Sequence, residues 1–444
     1  MFAVHRSALV VPGQPPAMRV GGSLVIGTGE TLHSKELIGQ GSFGSVWRME
    51  SPTQTLALKE TMSDSEQSFH QNLTEAFILQ SATSMGAEGI PNYLGHEGAR
   101  IDSRTWRVRT LMTLLPGIPL DKWLSQERTC KAGLTGAVAE SVKLLKSLAT
   151  TLQTVEKIAV HRDVNSHNVL VCPRDDQGVD FYLIDFGLAV ENSRWKTEAA
   201  WRKLPLAGDC KYWPPCAWLM FIHGPQALEA DNWKQRQYRD RLDSFSLAVT
   251  CLEFFFRRAD KADVPGDLRE AWKAYWLETS RCWELFYTTF KTRGDWEGLR
   301  KKLMVSAAHE TISAKLRVLT SAMANQTGEL QLLFSVLKDM LTADGDVAGD
   351  FTSVLQRLGV TTGSVVSTVS KVAPITVSAF KPPTFTPATF APVMADFRSP
   401  VMTTRTLMSP QMITRSSPQM ITRSPLLPSR AFQPVKFVQP SLFR

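Results

Sequence analysis

The sequence predicts an α+β fold, with its strands gathered at the front and its helices behind. Three features carry this expectation. Strand-like runs at 35–38, 46–49 and 56–59 are punctuated by Gly, Ser and Pro, apolar residues recur at helical spacing from residue 138 onward, and beyond residue 359 the composition changes to Ser, Thr, Pro and Arg, which ends the folded part. The 444 residues are 43% hydrophobic, enough for one large domain with extensions. The chain accordingly divides into a flexible leader at 1–29, a folded domain at 30–358 and a disordered tail at 359–444.

The leader carries Arg6 and Arg19 and no acid, and it lacks the apolar centre of a secretory signal. It is short and hydroxyl-poor for a transit peptide, so an intracellular, cytoplasmic protein is expected, with organelle targeting left open. Lys35-Glu36-Leu37-Ile38 and Val46-Trp47-Arg48-Met49 read as strands around the turn Gly39-Gln40-Gly41-Ser42-Phe43-Gly44. Ser51-Pro52-Thr53 breaks the chain, and Leu56-Ala57-Leu58-Lys59 reads as a third strand that ends in lysine. Leu73–Gln80 is expected to be helical, with Phe77, Ile78 and Leu79 turned inward. Val138, Val142, Leu145, Ala149 and Leu152 repeat at helical spacing, and Glu140, Lys143 and Lys146 fall off that stripe. The longest apolar run, Ala248 to Phe256, is interrupted by Glu253; it suits a buried helix and is too short to span a bilayer.

Two strings carry chemistry. His161-Arg162-Asp163-Val164-Asn165-Ser166-His167-Asn168 places an acid and an amide five residues apart in one loop, and Asp185-Phe186-Gly187 adds a second acid after a short hairpin. Upstream, glycines at a turn between two strands let backbone N–H groups approach phosphate oxygens with no Cβ in the way. A dinucleotide-binding fold would place such glycines at the opening of a helix instead. Glycine turn, strand-end lysine, acid–amide loop and second acid occur in the order that resembles the protein kinase family, as a divergent eukaryotic-type member. The resemblance runs from about Leu32 to Leu358 and is specific up to Asp243. It implies a two-lobed fold, with an antiparallel-sheet N-lobe at about 30–112 and a mainly helical C-lobe at about 118–358. It also implies ATP and Mg²⁺ as cofactors and a protein hydroxyl, Ser or Thr, as acceptor.

By the same resemblance Asp163 is the base that accepts the hydroxyl proton. Lys59, held by Glu75, grips the α- and β-phosphates, and Asn168 and Asp185 are the oxygen ligands of magnesium. Ile38, Gly39, Gly41 and Gly44 lie over the nucleotide, Val46 and Ala57 cover the adenine, and Leu170 lies under it. Met112 guards the back of the pocket, and backbone groups of Thr113 and Leu115 bond the adenine edge. Arg162 would anchor a phosphate on the activation loop. The only hydroxyls there, Ser193 and Thr197, sit far before Gly208, so Glu191 or Glu198 is an alternative occupant. Tyr212 and Pro215 match the substrate-docking segment, and Asp243 matches the aspartate that braces the catalytic loop.

The sequence departs from the family in three places. Ser/Thr-specific members usually carry Lys where this chain has Asn165, and Thr where it has Asp209. Either an Asn165–Asp209 hydrogen bond replaces that contact, or the second carboxylate raises a pKa beside Asp163. The usual Ala-Pro-Glu is Pro214-Pro215-Cys216, and its partner arginine near residue 345 is absent too; joint loss implies a repacked lobe, because losing one partner alone would leave a buried charge. The stretch 217–240 is longer than the family norm, holds Trp218, Trp233 and Tyr238, and reads as a surface insertion.

The six cysteines form no CxxC pair, which argues against a zinc ribbon and for reduced thiols; Cys210 and Cys216 flank the docking loop, where a redox switch is conceivable. From residue 361 to 444 there are nine Lys/Arg and one acid, which accounts for the whole +8 of the chain. The domain itself is formally neutral and gives no sign of a specific nucleic-acid groove. In the tail Ser409-Pro410-Gln411-Met412-Ile413-Thr414-Arg415-Ser416 recurs unchanged from Ser417 to Ser424, with a weaker copy from Ser399. These units are too polar for a core. They offer proline-directed phosphosites at Ser399, Ser409, Ser417 and Ser424, and their basic charge suits an acidic partner, a filament or a membrane surface. The alternative to a working kinase is a pseudokinase scaffold or signalling interaction protein, a class that usually lacks one of Lys59, Asp163 or Asp185. A small-molecule kinase would seldom keep the whole glycine loop and docking segment.

Overall fold

The computed structural model describes residues 18–26, 29–41, 44–126, 132–174, 178–292, 294–342 and 349–360. The glycine-turn tip at Ser42 and Phe43, Cys130, most of the expected leader and the repeats and phosphosites of the tail lie outside them.

Alternation of apolar and polar residues builds the first half. Strands β1 (Ser23–Val25), β2 (Thr31–Gly41), β3 (Gly44–Glu50), β4 (Thr55–Ser63), β5 (Tyr93–Arg100) and β6 (Trp106–Thr113) form a six-stranded antiparallel sheet in the order β1-β2-β3-β4-β6-β5. The central strand β4 is buried on both faces, and its pleat separates two jobs. Leu56 and Leu58 join Leu32, Trp47, Met49 and Leu111 in one apolar cluster, whereas Ala57 joins the main core with Ile78 and Met112.

The first 29 residues are not all a free leader. Ser23–Val25 pair with Thr31–His33, Met18 and Leu24 are buried in the outer cluster, and the Met18 backbone N–H donates to Glu60 Oε1 at 2.7 Å. A three-residue strand is too short to show the alternation from which strands are read.

Helix α1 (Glu66–Ser84) starts where Ser65 accepts from the Ser68 N–H and Glu66 faces the positive end of the helix. Its buried face is Glu75, Ala76, Ile78, Leu79 and Ala82. Phe77 was expected inside with Ile78 and Leu79, but it lies off that face and is 48% exposed.

The second half begins with β7 (Ile118–Pro119), α2 (Leu120–Leu124) and α3 (Leu134–Val155). The expected helical stripe exists in α3 but is centred on Ser141, Leu145, Leu148 and Leu152, with Val138 and Val142 at its edge. Then come β8 (Ala159–Val160), β9 (Val169–Pro173), β10 (Val179–Leu183) and β11 (Val190–Glu191); β10, β9 and β7 form one small sheet, and β11 and β8 another. Helices α4 (Pro215–His223), α5 (Pro225–Glu229), α6 (Asn232–Asp240) and α7 (Leu242–Arg258) follow, with α7 buried without a break from Asp243 to Phe255. Then α8 (Gly266–Thr292), α9 (Trp296–Val305), α10 (Ala308–Ala324), α11 (Glu329–Thr342) and α12 (Phe351–Arg357) complete the helical lobe.

The stretch 217–240 is a surface insertion only in part: 223–240 lies largely at the surface, with Leu228, Gln237 and Tyr238 buried, whereas its first turns do not lie there. Cys216 through Ile222 of α4 are all buried. Around them Trp213 meets Trp218 at 5.2 Å and Phe286 at 5.4 Å, and Phe286 meets Phe221 at 5.3 Å and Trp296 at 5.1 Å between ring centroids. Edge-to-face aromatic packing thus surrounds the helix that carries Cys216, where the family's glutamate was expected; the arginine position near residue 345 lies outside the described residues. No helix among the described residues is long and apolar enough to cross a membrane.

Candidate active site

The pleat that turns Leu58 outward turns Lys59 toward the helical lobe. The Lys59 ammonium lies 2.6 Å from Glu75 Oε1 on α1 and 2.7 Å from Asp185 Oδ1 in the loop after β10. The Lys59 and Glu75 side chains are buried, while Asp185 keeps 37% of its side chain open. Burial works against charge on Lys59, but the two carboxylates outweigh it and raise its pKa, so it stays an ammonium. Burial likewise pushes Glu75 up against the pull of Lys59. On Asp185 the ammonium overcomes burial and holds the carboxyl below its usual range.

Asp185 and Arg162 both adopt left-handed backbone conformations, with φ 64° and 69°. Non-glycine residues are costly there, so the surroundings must hold them. Phe186 is buried, with its ring 4.7 Å from that of His161. The backbone N–H groups of His161 and Arg162 donate to Asp243 Oδ2 and Oδ1 at 2.7 and 2.8 Å, which is the bracing expected of Asp243. His161 itself is fully buried, and burial lowers its pKa, leaving it neutral.

Asp163 is held by three N–H donors. Asn165 Nδ2 reaches Oδ1 at 2.6 Å, the Asp209 backbone N–H reaches Oδ1 at 2.9 Å, and Asn168 Nδ2 reaches Oδ2 at 2.8 Å. Burial pushes the Asp163 carboxyl up to about 6; the charges of Asp209 and Asp185 add to the rise, and the donors limit it. Of the two expectations for Asn165 and Asp209, the hydrogen bond between their side chains is not formed. Asn165 serves Asp163, and its Oδ1 accepts from the His167 and Asn168 N–H groups. The Asp209 carboxylate instead caps the turn at Cys210–Tyr212 through the Lys211 N–H. The close approach of this segment depends on Gly208: at its φ of 85°, a Cβ would stand 2.4 Å from the Arg162 carbonyl oxygen and 2.9 Å from Asp163 Oδ1.

Arg162 meets neither Glu191 nor Glu198. Its guanidinium lies 5.0 Å above the Trp195 ring and donates to the carbonyls of Pro205 at 2.5 Å and Leu188 at 3.4 Å. Two further polar contacts were missed in the sequence. Glu253, noted only as a break in an apolar run, accepts from the buried Tyr212 hydroxyl at 2.6 Å, and Ser166 shares that hydroxyl at 2.8 Å. His167 Nδ1 lies 2.9 Å from Asp121 Oδ2, and its Nε2 lies 4.0 Å from Asp209 Oδ2. Burial opposes its charge, yet the Asp121 and Asp209 carboxylates raise its pKa overall. The signals for both were polar residues whose partners lie far along the chain.

Of the residues expected around a nucleotide, Ile38, Gly39, Gly41, Gly44, Val46, Ala57, Met112 and Thr113 lie on the six-stranded sheet, and Leu115 and Leu170 lie outside it. Gly39 and Gly41 end β2 and Gly44 opens β3, where a Cβ would come within 2.3 Å of the Glu60 carbonyl oxygen. Val46 lies opposite Gly39 and Lys59, and Ala57 lies opposite Met112. Ile38 is 39% exposed at the end of β2. Thr113 uses its N–H and hydroxyl on Asn92, while Leu115 makes no backbone hydrogen bond among the described residues. Leu170, on β9, pairs with Pro119.

Asn168 and Asp185 sit in adjoining loops, joined by the Ile184 N–H donating to the Asn168 carbonyl at 2.9 Å. Both offer hard oxygen donors. Among the described residues no group of three or more His, Cys, Asp or Glu side chains could hold a metal by itself. Cys210 and Cys216 are buried, and burial pushes both thiols well up, which disfavours the thiolate that a redox switch needs.

A search of curated proteins returned no match. The sequence profile of the family described as Protein kinase domain matches residues 32–291, more than half of the chain. With its curled antiparallel sheet over a helical lobe, this chain belongs to the protein kinase domain family, whose chemistry is phosphoryl transfer.

Proposed function

We propose that this chain is an ATP- and magnesium-dependent protein serine/threonine kinase. The observation that carries the reading is the bridge made by Lys59, which touches Glu75 on the sheet lobe's helix and Asp185 on the helical lobe at once. On this view Lys59 binds phosphate and Asp185 binds metal, and the contact between them supports the reading because transfer needs the two side by side.

In this reading Lys59, released in part from Asp185, holds the α- and β-phosphates while Glu75 keeps its ammonium in place. Gly39, Gly41 and Gly44 let backbone N–H groups close over the phosphates. Ile38, Val46, Ala57 and Leu170 enclose the adenine, and the unused backbone groups of Leu115, with the Thr113 carbonyl, bond its edge. Asn168 and Asp185 would hold magnesium, which supplies charge compensation on the phosphate oxygens. Asp163 orients the acceptor hydroxyl and takes its proton as the new O–P bond forms and the bond from the γ-phosphorus to its bridging oxygen breaks; ADP leaves. Ser or Thr is favoured over Tyr because the Asp209 N–H touches Asp163 directly, so the docking segment lies close to the base and suits a short side chain.

The test is transfer of label from ATP in the presence of Mg²⁺, with the chain itself and generic basic proteins as acceptors. Label on Ser/Thr that disappears in Asp163→Ala supports the reading. ATP binding without transfer, in folded protein, would favour the scaffold alternative instead.

A further inference from the structure

Two features of the sequence have no part in the transfer chemistry. The activation segment has hydroxyls only at Ser193 and Thr197, far before Gly208, and the segment 217–240 is longer than the family requires. In the structure these two features meet.

Trp195, in a single π-helical turn at Ser193–Thr197, is completely buried. Its indole N–H donates to the Arg239 carbonyl of α6 at 2.8 Å, and its ring lies 5.7 Å from that of Tyr238 on the same helix. Trp201 meets Tyr238 edge-on at 6.2 Å. Ion pairs add to the seam, from Arg202 to Glu229 of α5 at 3.0 Å and from Lys196 to Asp240 at 3.6 Å. The activation segment is thus fastened to α5 and α6 by packing. The Trp195 ring also receives the Arg162 guanidinium, a cation–π contact in a desolvated site. Other Arg162 donors reach two carbonyls within the segment itself, those of Leu188 and Pro205. Arg162 precedes Asp163, and its backbone N–H is fixed by Asp243, so the posture of this arginine bears on the base.

We propose that Trp195, backed by α6, is a positioning residue that holds Arg162 and the activation segment in the working arrangement without phosphorylation of that segment. The inference rests on the kinase reading above. It gives the segment 217–240 a role, since α6 supplies the Arg239 carbonyl and the Tyr238 ring against which Trp195 is set.

The test uses the full chain. Enzyme treated with a broad protein phosphatase, and the Ser193→Ala/Thr197→Ala variant, should keep kcat and both KM values within about twofold of untreated wild type. Loss of about tenfold or more on either would overturn the proposal. Trp195→Phe, which keeps an aromatic face, should retain most activity, whereas Trp195→Leu should lower kcat about tenfold or more with KM for ATP little changed. Arg162→Met combined with Trp195→Leu should be no worse than the poorer single variant, since the two act as a unit. Additive losses would show that Trp195 merely fills the core, and should Trp195→Leu fail to fold, the phosphatase and Ala arms decide alone. An untreated wild type that binds ATP and transfers nothing counts against the kinase reading; an active one that dephosphorylation silences counts against this inference only.

Discussion

The side-chain amide of Asn165 donates to Asp163 Oδ1 at 2.6 Å, from the position where Ser/Thr-specific members of the family usually carry lysine. A lysine would bring a cation to the base; the amide brings a hydrogen bond and no charge. Asp163 is therefore a buried carboxylate held by neutral donors and faced by two other acids, and its carboxyl is pushed up to about 6.

The consequence is a distinct acid limb. With its carboxyl pushed up to about 6, Asp163 in the proposed role of base loses its proton-accepting form as pH falls through that point, so kcat/KM for ATP, which reports the free enzyme, should fall about tenfold per unit below it. Asn165→Ala removes a bond to the charged form and should move the limb up by about one unit. Asn165→Lys supplies a cation and should move it down by a similar amount. pH profiles of the three enzymes check this, and a limb that stays in place in both variants would contradict it.

Lys59 and Glu75 form the buried pair, and the two partners are not equivalent. Lys59→Met leaves Glu75 and Asp185 facing each other without a cation, whereas Glu75→Gln leaves Lys59 its bond to Asp185. Both should abolish or sharply reduce transfer. Stranding a buried charge costs about 3–5 kcal/mol, so Lys59→Met should be the less stable in denaturant unfolding at pH 7. A carboxyl with its folded pKa raised binds its proton more tightly in the folded state. The defect of Lys59→Met should therefore shrink as pH falls from 7 toward 5 and return as it rises. Equal stability of the two variants across that range would refute the asymmetry.

How much of the site is written locally explains what could be read. Lys59, Asp163, Asn168 and Asp185 belong to loops and strand ends whose backbone geometry needs particular neighbours, so they appear as short strings with fixed spacing. Glu75 was legible only through the resemblance, as the acid on the expected helix that could partner Lys59. Turning the whole run Phe77-Ile78-Leu79 inward misassigned Phe77, since adjacent apolar residues on a helix cannot all face one way. The indole of Trp195 finds its acceptor 44 residues along the chain, at Arg239, and Glu253 finds its donor 41 residues back, at Tyr212. Asp121 meets His167 only through the fold. A sequence shows such residues as isolated aromatics or polar interruptions, and only tertiary packing gives them a role. The burial of α4 was hidden for a related reason: its apolar run had no periodicity to mark it as core rather than insertion.

The segment before β2 braces the sheet. Met18 and Leu24 lie in the outer apolar cluster with Trp47, Met49 and Leu58, and the Met18 N–H satisfies Glu60, the neighbour of Lys59. Burying two such side chains contributes roughly 3–6 kcal/mol, an upper bound because unfolded chains already hide part of that area. Deleting residues 1–26 should therefore lower Tm by roughly 5–10 °C at a few degrees per kcal/mol. Leu24→Asp should do much the same without shortening the chain, because it puts an unpaired charge into the cluster. Glu60 is also held by Arg109 at 2.6 Å, so the acid stays partnered and the domain should remain folded at 25 °C. Its strand carries Lys59, and its carbonyl backs Gly44, so the truncated chain should also bind ATP more weakly, by about threefold to tenfold in KM. A truncated chain with the wild-type Tm would mean that β1 merely lies on the sheet and does not brace it.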